Sequence, residues 1–347
     1  MIGYTTGTCA TAASFLAATR LIGKPHRSSI PVRLPGGEDI DIPVLDSGID
    51  DNAAWATVRK HSGDDPDITD KAIIRADVSK SGNPGVTFFA GTGVGTVTRD
   101  GLQIPPGQAA INPVPRKMIS DHLLALANGW NVTISVENGE ELARQTFNPR
   151  LGIIGGISII GTTGIVRPFS HESQLCAIRC EIGVARAARL DRIVLVPGHY
   201  GERSARMHYR YTEEPGVIEV GNDWGFALDL LNNEPLESIL VVGHAGKLAK
   251  LAQQEWDTHS SRSLSALPWI MTEWECGRFT VSETFTTVEG FYLFTKTISG
   301  YNDFWTGIAE KIAAAIQHKV STCRVAVSLC DMQGSIIAES SGVDQWK

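Results

Sequence analysis

VLVPGHYG at residues 194–201 and LVVGHAGK at 240–247 decide the fold. Each is a short run of branched apolar residues that stops at a glycine- and histidine-containing loop and then takes on helical spacing. A run without polar alternation suits a strand buried on both faces, the condition of a strand inside a helix-covered parallel sheet. Working outward, Leu151 to Ile154, Arg192 to Val196 and Ser238 to Val242 read as such strands, and Cys323 to Leu329 as the last. Helices fit Ser170 to Leu190, with Ser170 as cap and Glu172 in the first turn, then Asn222 to Leu231, Gly246 to Trp256 and Asn302 to His318. The alternation predicts a three-layer αβα, Rossmann-like domain over residues 150–347, with a mainly parallel sheet whose ligands sit at the carboxyl ends of the strands.

Residues 1–149 read as an α+β sandwich domain, which makes the chain α/β overall. Thr8 is placed to cap a helix whose Ala12, Ala13, Leu16 and Ala17 run to Leu21, with Gly23 at the stop. The alternation of Val32 and Leu34, a Pro35-Gly36-Gly37 turn, then Ile40, Ile42 and Val44 is a hairpin signal. Ala54 to Lys60 and Ala72 to Ser79 read as extended. A helix begins near Pro115 and ends before Gly129. Asn131 to Val136, the turn Asn138-Gly139 and Leu142 to Phe147 predict a further hairpin.

At 347 residues, 42% apolar and 20% charged, the chain has core material for two domains, and disordered and fibrous classes are excluded. No run of eighteen apolar residues occurs, and the first 22 residues lack the basic and apolar regions of a signal peptide. The expectation is a cytoplasmic protein with no membrane partner. A net charge of −7 argues against nucleic acid as the main partner. The six cysteines form no CxxC pair, so free thiols are expected, and Cys176 with Cys180 reads as core packing more than as metal ligands.

Glycine is concentrated in YTTGTCA (4–10), GTGVGTVTRDG (91–101), GGISIIGTTGIVRP (155–168) and the two GH loops. Such loops are either tight turns or places where backbone N–H groups meet an anionic ligand. GTGVGT lacks the third glycine of a dinucleotide fingerprint, and GHAGKL lacks the first glycine and the Ser/Thr of a P-loop. Arg99, Arg116, Lys117, Arg150, Arg167, Lys247 and Lys250 lie beside these loops. They are either solvated surface charges or, in an acidic protein, a pocket for carboxylates or phosphates. Asp64-Asp65-Pro66-Asp67 is a turn or cap, or a cation site or base. His199, His244 and His259 stand at loop edges, where an imidazole is either structural or moves a proton near neutral pH.

Together, GYTTGTCATAA (3–13), DDPDIT (64–69), GVGTVTRDGLQIPPGQAAINPVPRKMI (93–119), LGIIGGISIIGTTGIVRPFS (151–170), VPGHYGE (196–202) and VVGHAGKLAKLAQQEWDTHS (241–260) resemble, in order, the cobalt-precorrin-5B C1-methyltransferases of anaerobic cobalamin biosynthesis, the CbiD family. The resemblance implies methyl transfer from S-adenosylmethionine to ring carbon C1 of a cobalt-containing tetrapyrrole, in a cleft between two domains. It suggests a donor site over Gly155, Gly156, Gly161, Thr162, Thr163 and Gly164, joined by Gly198 and His199. Thr5, Thr6, Thr8, Arg99, Arg116, Lys117, Arg167, Lys247 and His259 would meet the carboxylate-rimmed substrate, with His244 or Asp65 as the proton acceptor. Cobalt would arrive within the substrate and no protein metal site is expected. A homo-oligomer and transient contact with neighbouring pathway enzymes are both left open.

The sequence departs from the family at SRSLSALPWIMTEWECG and through 261–300, and at GNDWG (221–225). The alternatives are therefore a paralogue that modifies another tetrapyrrole and a non-catalytic corrinoid-binding pathway partner.

Overall fold

The computed structural model describes residues 3–166, 171–276 and 284–347. The chain separates into two compact units, Met1–His171 and Glu172–Lys347.

In the second unit the sheet runs in the order Val217–Glu219, Arg192–Val196, Ser238–His244, Arg324–Cys330, Ile336–Glu339. The first three pairings are parallel and the last is antiparallel. One face carries Ile193, Leu195, Ile239, Val241, Val327 and Leu329 and is covered by helices that contribute Ile182, Trp224, Leu248 and Ile312. The other carries Val194, Val196, Leu240 and Val242 against Ala205, Tyr209 and Trp346. Adjacent residues of one strand thus enter opposite cores, which is why these strands show no polar alternation. The Tyr301–Lys319 helix buries Trp305, Ile308, Ala309, Ile312, Ala313 and Ile316, a helical stripe along one side. The divergent stretch after residue 260 forms the helices Ala266–Cys276 and Val288–Thr295. Trp274, Phe291 and Trp305 are fully buried, and Trp274 meets Phe304 edge-on with ring centroids 4.8 Å apart. This segment is built as core.

In the first unit a sheet of order Asp46–Asp50, Ala53–Arg59, Ile73–Lys80, Gly129–Val136, Gly85–Ala90 is antiparallel except at its last pairing. The Thr6–Leu21 helix lies on it. Ala10, Ala13 and Ala17 meet a sheet face that itself offers Ala54, Ala56 and Ala76, all fully or almost fully buried, so small residues on both sides let backbones approach. Ser29–Arg33 and Asp39–Pro43 form the expected hairpin.

Three expectations fail here, for identifiable reasons. Leu151 to Ile154 does not open the parallel sheet: only Ile153–Ile154 is strand, paired antiparallel with Thr96–Val97 in the first unit. Gly152 and Gly155, at φ +71° and +89°, bracket it with turns too close together for a longer strand. The Asn138-Gly139 turn makes no hairpin. Asn138 is left-handed at φ 55°, but Gly139–Ala143 continues as a short helix, and Gly139 packs directly on the Gly93 backbone, where a second strand has no room. The first helix is capped by Thr5, whose side chain accepts from the Thr8 N–H at 3.2 Å; Thr8 lies inside it. Ser170, expected as a cap, lies outside the described residues. Among the described residues no helix is long and apolar enough to cross a membrane.

Candidate functional site

The carboxyl edge of the second unit's sheet gathers a cluster of polar groups. From Arg192–Val196 the chain enters the His199–His208 helix, whose Ala205 belongs to one core; from Ser238–His244 it enters Ala245–Ala252, whose Leu248 belongs to the other. Adjacent strands whose helices leave to opposite faces create a crevice at their carboxyl ends, where open α/β sheets bind ligands. Gly198 opens this crevice at φ +146°, ψ −166°, a backbone that only glycine adopts readily. A Cβ there would stand 3.6 Å from Oε1 of Glu219, the last residue of the neighbouring strand. Lys247 Nζ donates to the Pro197 carbonyl at 3.3 Å. Burial pushes this ammonium below the usual lysine range, Glu219 opposes the shift and Lys250 adds to it.

His244 ends its strand and caps the next helix. Its Nδ1 accepts from the Gly246 N–H at 3.1 Å, so the ring proton sits on Nε2, which donates to Glu289 Oε2 at 2.9 Å. Beside this pair is a cavity of about 580 Å³, lined among others by His244, Gly246, Lys250, Ser263, Glu289 and Met332. Lys250 is 7% exposed and donates to the Thr258 carbonyl at 3.1 Å and to Ser263 Oγ at 2.8 Å. His259 is half-buried with Nδ1 2.8 Å from Ser261 Oγ, and His199 is exposed at the first turn of its helix. The second unit thus holds Gly198, His199, His244, Lys247 and His259.

The first unit holds the rest. Thr6 Oγ1 donates to the Ile160 carbonyl at 3.1 Å and Thr8 Oγ1 to the Gly164 carbonyl at 2.6 Å. A Cβ on Gly161, at φ +141°, would overlap Thr5, and one on Gly164 would stand 2.6 Å from Leu34. The glycines are small here because the threonine-bearing helix start packs against them. Gly155, Thr162 and Thr163 are exposed and Gly156 is buried, its backbone against Gly93. These residues are not at the edge of the parallel sheet, where the sequence reading set them, because their short strands pair with Gly3–Tyr4, Gly93–Val94 and Thr96–Val97.

Arg116 is half-buried. It donates to the Ile111 and Ala109 carbonyls at 2.7 and 3.0 Å, lies 5.2 Å over the Phe88 ring, and has no carboxylate partner among the described residues. Arg99 donates to the Arg150 carbonyl at 2.8 Å, and Lys117 is exposed in an ion pair with Asp121. Arg167 lies outside the described residues.

The DDPDIT turn divides its labour. Asp67 takes Lys60 Nζ at 2.6 Å and both the amide and hydroxyl of Thr69 at 2.7 Å, whereas Asp65 makes no side-chain hydrogen bond to a described residue. Burial, then the charge of Asp67, raises the Asp65 carboxyl above its ordinary value. Sequence reasoning passed over Lys60, Glu219 and Glu289. Only Glu219 had a readable signal: an acid in a short apolar run twenty-one residues after Gly198, the spacing of a ribose-binding carboxylate. Among the described residues no group of three His, Cys, Asp or Glu could hold a metal ion. Cys176 is exposed and not core, because the helical face that carries it turns outward.

The CbiD family model matches residues 1–168. A cobalt-precorrin-5B C(1)-methyltransferase of Syntrophotalea carbinolica is 42% identical over 351 residues, covering 99% of this chain and 98% of that one. The chain belongs to the CbiD family. A second CbiD relative carrying the same name, from Burkholderia ambifaria, is 45% identical over 278 residues, 78% of this chain and 76% of its own length. The solved structure of the cobalamin biosynthesis protein cbiD from Archaeoglobus fulgidus is 28% identical over 76% of this chain and 81% of that one, with a TM-score of 0.41.

Proposed function

We propose that this chain transfers the methyl group of S-adenosylmethionine to C1 of cobalt-precorrin-5B, with the donor at the carboxyl edge of the second unit's parallel sheet. The observation that carries the placement is the Gly198 turn beside Glu219. A glycine-only backbone after one strand and a carboxylate ending the next is the combination that admits a nucleoside and pairs with its ribose hydroxyls. This replaces a placement over Gly155 to Gly164, where Gly161 and Gly164 are already taken up by Thr5, Leu34 and Thr8.

S-adenosylmethionine supplies an electrophilic methyl group on a sulfonium whose charge disappears as that methyl leaves. The chain contributes orientation and exclusion of water. Glu219 would hold the ribose and Gly198 would admit it. Lys247, tied to the Pro197 carbonyl, fixes the loop that Gly198 belongs to. His244 is committed through both ring nitrogens and orients Glu289, so it is a positioning residue. Asp65, in the first unit, is raised by burial and by Asp67 and makes no side-chain hydrogen bond to a described residue. Arg116, in the first unit and with no carboxylate of its own among the described residues, suits a carboxylate ligand.

Anaerobic incubation of the protein with cobalt-precorrin-5B and methyl-labelled S-adenosylmethionine, read by mass spectrometry, tests this. One labelled methyl at C1 is expected. Donor consumption with another tetrapyrrole but not this one would identify a paralogue, and corrinoid binding without donor binding a carrier; either result overturns the proposal.

A further inference from the structure

Lys250 presents an unusual electrostatic situation. Its ammonium is buried, yet both of its hydrogen-bond partners, the Thr258 carbonyl and the Ser263 hydroxyl, are neutral. No carboxylate lies within ion-pair distance among the described residues. An ammonium has three N–H donors, and a buried charge is ordinarily matched by an opposite one. The missing counter-charge and the third acceptor both point to a ligand in the 580 Å³ cavity that Lys250 lines.

The same cavity is lined by Glu289, whose Oε2 is held by His244 Nε2–H and whose Oε1 accepts from no described residue. One cavity therefore offers a cation and an anion that are not paired with each other. A bare carboxylate from a corrin rim would gain from Lys250 and be repelled by Glu289; a zwitterion gains from both. At about 580 Å³ the space has ample room for the amino-acid portion of a ligand.

We propose that this pocket is the subsite for the α-amino-acid end of the methyl donor, its carboxylate on Lys250 and its ammonium on Glu289. The assignment rests on the methyltransferase reading above and adds to it a binding determinant for the donor that the adenosine does not contain.

Isothermal titration of the full chain with S-adenosylhomocysteine and with 5′-methylthioadenosine separates the two. Both carry the adenosine and a thioether, and only the first carries the zwitterion. The wild-type protein is expected to bind S-adenosylhomocysteine at least tenfold more tightly. Lys250→Met is expected to lose tenfold to a hundredfold in S-adenosylhomocysteine affinity and to leave methylthioadenosine within twofold. Glu289→Gln, which keeps the side chain's size, is expected to show the same selectivity and stands in should the lysine variant misfold. Equal affinity of the wild type for both ligands, or an equal loss of both in the variants, would overturn the subsite. Loss of corrinoid binding with donor affinity unchanged would assign Lys250 to a substrate carboxylate instead. Binding of neither nucleoside by the wild type would overturn the donor reading itself, a result distinct from the others.

Discussion

Asp67→Asn is expected to be among the most destabilising single changes at a partly exposed position of the first unit. Lys60 is 2% exposed, and its ammonium has two partners, Ser62 Oγ at 2.5 Å and Asp67 Oδ2 at 2.6 Å. Removing one member of a buried pair leaves the other charge uncompensated, at a cost of about 3–5 kcal/mol. Asp67 keeps 27% of its side chain in solvent, which puts the expectation at the lower end, about 3 kcal/mol. For a unit of this size that corresponds to a fall in Tm of roughly 6–12 °C, at about 2–4 °C per kcal/mol. Removing both charges, in Lys60→Met/Asp67→Asn, should recover all but about 1 kcal/mol of it.

The pH dependence has a defined sign. Burial raises the Asp67 carboxyl, but the hydrogen bonds from Lys60 and Thr69 outweigh burial and hold it below the ordinary carboxylate range. Its contribution is therefore complete above the unfolded-state value of about 4 and is lost as pH falls through the lower folded value. Scanning calorimetry of the wild type, the single and the double variant between pH 7 and pH 3 checks all three expectations. A double variant that melts at or below Asp67→Asn would refute the uncompensated-charge argument.

Gly161→Ala should unfold the first unit in a thermal melt, since its Cβ overlaps Thr5, whereas Gly155→Ala, with nothing within 4 Å of its Cβ, should cost only the ~1–2 kcal/mol of a left-handed residue. Equal melting losses would show that packing at Gly161 is not what excludes a side chain. Glu219→Gln should weaken S-adenosylhomocysteine binding by roughly tenfold to a hundredfold through a lost charge-assisted hydrogen bond to the ribose, with corrinoid affinity unchanged in the same titration. The hydrogen bond from Cys180 lowers the exposed Cys176 thiol to about 6. Iodoacetamide should therefore label Cys176 at pH 7 faster than an ordinary cysteine, and more slowly in Cys180→Ala.

The parallel sheet was legible because a strand buried on both faces leaves an apolar run without polar alternation. Arg192 to Val196 and Ser238 to Val242 carry that pattern and are strands in the structure. Val217–Glu219 is three residues long, and Ile336–Glu339 is an edge strand of four, too short to establish any period. Leu151 to Ile154 shows the limit of the same rule. Its apolar residues match a buried strand, yet Ile154 is 64% exposed, because glycine geometry on either side decides the local path and composition does not record φ. At the site, His244 and Lys247 were visible as residues beside a glycine loop. Glu289, which gives His244 its partner, comes from forty-five residues downstream in the segment that departs from the family pattern, and nothing in the local sequence announces such a pairing. Lys60 was invisible for a related reason: a lysine at the end of an alternating strand reads as solvated until the fold closes over it.

The pairing of Gly3–Tyr4 with Ile165–Val166, together with the Thr6 and Thr8 bonds to Ile160 and Gly164, joins the two ends of the first unit. On a ribosome that adds about 5–20 residues per second, the Thr6–Leu21 helix emerges roughly 8–30 s before the residues that seal its amino end. During that interval its alanine-rich face has only the nascent sheet to cover it, and its first turn lacks the carbonyls that later take its hydroxyls. Closure of this unit thus waits for its own last strand, made about midway through the 347 residues, and until then the helix stays only partly covered.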